Sequence, residues 1–167
     1  FGHPQGLGIP ANTFTGFLMI SAVVFGAFIS FSGIYADKIG RRRFLIWVTF
    51  AMLAFGLLMP QFLTHGSPAS VLAFLLIGMA LMGLTFGPMA ALLPELFPTE
   101  VRYSGASLAY NFAAIIGASI ATLVAIELNA YYGIIGVGLY LAANCVLTLL
   151  ALNSTHETKD VDLVDTQ

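Results

Sequence analysis

The sequence predicts an all-α membrane protein, and three observations carry that expectation. Hydrophobic residues make up 59% of the 167-residue chain and charged residues only 8%, with a mean hydropathy of +0.93. Soluble domains carry roughly a quarter charged residues. Five runs, each near the roughly 20 residues a helix needs to cross a hydrocarbon core, contain no Asp, Glu, Lys or Arg. The connections between them are short, and they and the terminal segment 153–167 hold the charge. Four of the six basic residues lie in one stretch, GIYADKIGRRR, residues 33–43.

The five expected transmembrane helices cover 13–35, 44–62, 70–93, 104–126 and 133–152. The first run has no charged segment ahead of it and the chain opens on Phe1. It therefore reads as a span rather than a signal peptide, within a fragment of something longer. The second follows the basic stretch directly. The third starts after a turn-forming segment with His65, Gly66 and Pro68. It is expected to end at Pro94 and Pro98, which lack the N–H that continues a helix, with a kink at Pro88. The fourth and fifth are separated by 127–132. Short connections imply antiparallel neighbours in one bundle. The domain boundaries expected are an extracytoplasmic segment at 1–12, a five-helix transmembrane bundle at 13–152 and a cytoplasmic tail at 153–167.

Charge sets the expected orientation. Lys38, Arg41, Arg42 and Arg43 follow the first span, Arg102 the third and Lys159 the fifth. Alternating spans put all of them on one side, which the positive-inside rule makes cytoplasmic. The amino end is then outside. The net charge of −2 gives no basis for a nucleic-acid partner. Cys145 is alone in an apolar run, so neither an internal disulfide nor a Cys-based metal site is expected. No ionisable residue lies well inside a span, so a coupling-proton carrier is not expected in this segment. The absence of His, Asp, Ser or metal constellations facing one another inside a span argues against a membrane enzyme.

Orientation explains why residues 33–43 are basic but not their pattern. Gly33 is read as a site of close helix approach, Gly40 as a residue free to take a positive φ at a tight reversal, and Asp37 as a cap or a partner for a nearby Arg. Together Gly33, Asp37, Lys38, Gly40, Arg41 and Arg42 resemble the signature loop of the major facilitator superfamily. GPMAALLPELFPTEVRYSGASLAYN, 87–111, resembles the link between the tenth and eleventh helices of metabolite:proton symporters and sugar porters. HETKDVDL, from His156, resembles a sugar-porter tail motif with His in place of Pro.

The resemblance implies five of the six helices in the carboxy-terminal half of a twelve-helix transporter. The amino-terminal half of that chain is then an implied partner, with the lipid bilayer and a small-molecule substrate, in a bacterial inner (plasma) membrane. It implies a secondary active transporter that imports an organic acid or zwitterion, with proton symport and alternating access. A sugar or organic-ion porter of the same superfamily is the nearer alternative, and a non-transporting five-span structural protein the more distant one. No cofactor is implied. The resemblance also implies a cytoplasmic gate built from Asp37, Arg41, Arg42, Glu95 and Arg102, with Glu95 and Arg102, six residues lying between them, as a charge pair.

The fourth span carries two faces at helical spacing. Ser104, Ser107, Asn111, Ala118 and Thr122 fall within about 60° of arc, and Ser107, Asn111 and Thr122 are the candidate lining of a substrate cavity. Ala109, Ala113 and Gly117 form a small-residue seam, and Gly83 with Gly87 in the third span forms a GxxxG pair read as helix packing.

Overall fold

The computed structural model describes residues 9–64 and 67–154. Among these the chain is helical almost throughout: α1 (Ala11–Ile39), α2 (Arg41–Thr64), α3 (Pro68–Glu95) and α4 (Arg102–Ser154). All four are long and apolar enough to cross a membrane. The hallmark of a water-facing surface is missing from them. Trp47, Val23, Leu123, Leu147 and many other large apolar side chains are exposed. In lipid this exposure costs nothing, and helices satisfy their own backbone groups.

Helices replace most of the expected loops. At about 1.5 Å per residue, the 29 residues of α1 exceed the bilayer core and carry Asp37 and Lys38 into its last turn. Gly40 alone joins α1 to α2. Its φ of 106° and ψ of 127° lie where a side chain is strained, and its N–H donates to the Ala36 carbonyl at 2.9 Å. The positive φ expected of Gly40 is thus present. Ser67 caps α3, its hydroxyl accepting from the Ser70 N–H at 3.1 Å. Pro88 and Pro94 both lie inside α3, which ends at Glu95. Of the expected terminal segments, residues 1–8 and 155–167 lie outside the described residues, as do His65 and Gly66.

Four helices stand where the sequence predicts five spans. The connection expected at 127–132 is helical, and the break comes one residue later at Gly133, with φ 64° and ψ −161°. The break is sharp. A Cβ on Gly136 would lie 3.1 Å from the Leu128 carbonyl oxygen, although eight helical residues rise about 12 Å. Hydropathy missed this because residues 127–132 are helix-compatible and only Glu127 and Asn129 interrupt the apolar run. Only glycine holds this backbone region comfortably, and other residues pay about 1–3 kcal/mol there. Among the described residues a Cβ on Gly133 would touch nothing within 4 Å, so the cost there is conformational. Gly133→Ala is therefore expected to lower the melting temperature of the full-length protein. Gly117→Ala, equally uncrowded but at a helical φ, should not.

Two seams hold the bundle. Along the first, α3 lies against α1 at Gly83 and Gly87. A Cβ on Gly83 would come 2.6 Å from the Phe25 carbonyl oxygen, and one on Gly87 would come 2.7 Å from that of Ile29. Ser32, fully buried, donates to the Gly83 carbonyl at 3.2 Å and to Ile29 at 2.9 Å. Phe25 and Phe86 pack edge to face at 5.5 Å beside it. The GxxxG pair thus serves packing, as expected. Gly33 is not what permits the approach to α3, because among the described residues a Cβ there would meet nothing within 4 Å. The closeness at this level comes from Gly87 meeting the Gly33 backbone. The second seam joins α2 to the final part of α4, where Gly56 and Gly138 approach so closely that a Cβ on Gly138 would be 2.5 Å from the Gly56 carbonyl oxygen.

Candidate functional site

The end of the bundle where α1 stops, α2 starts and α3 and α4 stop gathers most of the charge. Its floor is apolar: Leu45 of α2, Leu92 of α3 and Leu152 of α4 form a buried cluster, with Ile46 packed against it. Above it sit the first two arginines of α2. Burying three leucines from three helices sets the axial register that brings distant polar groups level with one another.

Arg41 joins three helices. Its Nε donates to Asp37 Oδ1, one turn back across Gly40, at 3.0 Å, and its Nη1 donates to Glu95 Oε1 at the end of α3. The two carboxylates are unequal. The Glu95 side chain is 23% exposed and that of Arg41 22%, against 61% for Asp37. The Glu95 contact therefore sits in the lower dielectric, and the Asp37 contact is an exposed i,i+4 pair of the weaker kind. The first turn of a helix is a poor place for three cations, since the helix dipole is positive there. The two acids offset that cost.

Arg42 points to a different partner. Its Nε donates to the Leu152 carbonyl at 2.7 Å, and its Nη2 reaches the carbonyl and Oδ1 of Asn153, both at 3.3 Å. The last carbonyls of a helix lack intrahelical donors, and a guanidinium there also meets the negative end of the dipole. Arg42 thus ties the end of α4 to the start of α2. No sequence signal pointed to this role, because the partners are main-chain atoms 110 residues away.

Arg102 is a correction. Its Nε donates to the Phe97 carbonyl at 3.4 Å, and among the described residues it makes no ion pair with Glu95. The intervening turn explains this: the Phe97 ring packs over Gly105, whose Cβ would fall 2.5 Å from it, and Arg102 caps the local turn instead. Glu95 is taken by Arg41. Lys38 occupies the last turn of α1, a favourable place for a cation.

Ser107, Asn111 and Thr122 lie together on α4 ahead of Gly133, and all three are exposed. Asn111 Nδ2 donates to the Ser107 carbonyl at 2.8 Å. Among the described residues of 106–132 none is buried, so this stripe faces outward from the described helices. The polar residues sequence reasoning missed are Ser21, Ser32 and Thr49, all buried, with hydroxyls donating to carbonyls three or four residues back.

A family model described as "Sugar (and other) transporter" matches residues 6–167. A Haemophilus influenzae protein provisionally named for metabolite transport is 68% identical over 98% of the chain, which covers 37% of that relative. The Escherichia coli "Inner membrane metabolite transport protein YhjE" is 51% identical over 96% of the chain and 37% of the relative. The Salmonella typhimurium "Proline/betaine transporter" is 31% identical over 86% of the chain and 29% of the relative. The chain thus spans 29–37% of the length of these relatives. No solved structure gives a significant match.

Proposed function

The chain belongs to the sugar (and other) transporter family of the major facilitator superfamily, and from that premise we propose that it supplies five crossings of a twelve-helix secondary active transporter. The transporter imports a small organic acid or zwitterion across a bacterial inner membrane by alternating access with proton symport. The observation that carries this reading is the charged end of the bundle, where Arg41 links α1, α2 and α3 and Arg42 holds the end of α4. Such an interface can be made or broken as a unit, which is what a two-state gate requires. Support for five crossings comes from the reversal at Gly133, since both ends of α4 belong to this one end of the bundle. Support for a zwitterion comes from the name of the Salmonella relative.

Ser107, Asn111 and Thr122 then face a cavity closed by the other half of the transporter, where substrate binds near mid-membrane between two repeats. The proton carrier belongs to that other half, because the five runs hold no Asp, Glu, Lys, Arg or His to relay a proton. Liposomes containing the full-length protein should accumulate an organic acid or a betaine-type zwitterion saturably under an inward proton gradient. Liposomes with residues 1–167 alone should show no uptake. Saturable uptake by residues 1–167 would sink the two-half reading.

The gate lies on the cytoplasmic side, because all six Lys and Arg residues then fall there. With Cys145 replaced, single cysteines at Lys38 and Thr99 should be shielded from an impermeant thiol reagent in intact cells, and one at Ser67 should react. Labelling at Lys38 from outside would place the charged cluster at the outer mouth instead.

A further inference from the structure

The third arginine of the tract has a different setting from the other two. Arg41 is engaged by carboxylates and Arg42 by the end of α4. Among the described residues no hydrogen bond or ion pair engages Arg43, which is exposed. It stands at one end of an open hollow of about 200 Å³ lined by Ile46, Trp47 and Phe50. These four positions follow the i, i+3, i+4, i+7 spacing of one helix face. That face points away from the buried Leu45, Val48 and Thr49. Trp47 is 74% exposed, one turn from a cation at the membrane edge.

We propose that Arg43 and the hollow of Ile46, Trp47 and Phe50 bind an anionic phospholipid. The guanidinium holds the phosphate, and the first part of an acyl chain lies along the apolar side chains. Charge complementarity selects this occupant. A planar guanidinium matches two phosphate oxygens at once. The indole, with one apolar face and one N–H donor, belongs at headgroup depth. An apolar strip running from a cation into the hydrocarbon fits a molecule with an anionic head and an apolar tail. It does not fit a soluble anion, which would leave Trp47 and Phe50 without a partner. One cation near the surface corresponds to roughly fivefold local enrichment of an anionic lipid.

The test uses the full-length protein with every tryptophan other than Trp47 changed to Phe. It is reconstituted in phosphatidylcholine vesicles doped with brominated phosphatidylglycerol or, separately, brominated phosphatidylcholine. Trp47 fluorescence should be half-quenched at about fivefold lower mole fraction of the brominated phosphatidylglycerol. Arg43→Gln should abolish that preference, and Arg43→Lys, which keeps the charge, should retain most of it. Equal quenching by both lipids, or a preference that survives Arg43→Gln, would overturn the proposal. Quenching by neither lipid would also overturn it, because protein would then cover the hollow.

Discussion

Gly87→Leu is expected to prevent accumulation of the full-length transporter in the membrane, and Gly87→Ala to lower its melting temperature markedly. A Cβ at this position would lie 2.7 Å from the Ile29 carbonyl oxygen and 3.0 Å from the Gly33 nitrogen, and would run into the Ser32 hydroxyl. The first two are main-chain atoms inside α1, so no rotamer change relieves them. The helices must separate, and that loosens the Ser32 to Gly83 hydrogen bond and the Phe25–Phe86 contact together. Overpacking a close interface costs about 1–3 kcal/mol for small insertions, and a leucine exceeds a small insertion. Thermal melting followed by fluorescence-detected size exclusion reads the effect. Gly33→Ala is the informative control, since its Cβ is unobstructed within the described residues. It should melt near the wild-type temperature. An equal loss at both positions would mean that Gly33 packs against a part of the transporter outside this chain. The α1–α3 seam would then not be the reason for the glycine.

Glu95→Gln is expected to reduce the maximal transport rate of the full-length protein by about tenfold while changing the half-saturation constant much less. Asp37→Asn should act in the same direction but more weakly. The order follows from burial. Removing one member of a well-buried pair costs about 3–5 kcal/mol, whereas an exposed pair is worth below about 1 kcal/mol. The Glu95–Arg41 contact, with both side chains less than a quarter exposed, falls between these limits. Asp37 stands near the exposed one. A contact present in only one access state shifts the balance of states by its own free energy, and about 1.4 kcal/mol corresponds to a factor of ten. Substrate contacts are untouched, so affinity should change little. Asn111→Ala is the counterpart: it should raise the half-saturation constant with a smaller effect on maximal rate. Initial rates across substrate concentrations separate the two patterns. If Asp37→Asn is the more damaging of the two gate variants, the exposed acid has a partner that this chain does not contain.

Membrane class and family were legible in the sequence, as were the uncharged runs. Each rests on a quantity that adds up locally. Hydrocarbon excludes charge residue by residue, so five uncharged runs are legible without knowing what they touch. The positive φ at Gly40 was legible for the same reason, since a one-residue reversal between two helices has few conformations open to it. GxxxG spacing marked Gly83 and Gly87 as a packing surface, because three intervening residues return a helix to the same face.

Tertiary structure alone decided which polar groups meet. Glu95 chooses Arg41, 54 residues away, over Arg102, and Arg42 turns to the Leu152 and Asn153 carbonyls. It also assigned the close approach to Gly87 rather than Gly33 and moved the break in α4 to Gly133. Pairing across helices depends on azimuth and axial register. Those are set by how the Leu45, Leu92 and Leu152 cluster and the glycine seams interlock, and no window of sequence contains both sides of such a contact.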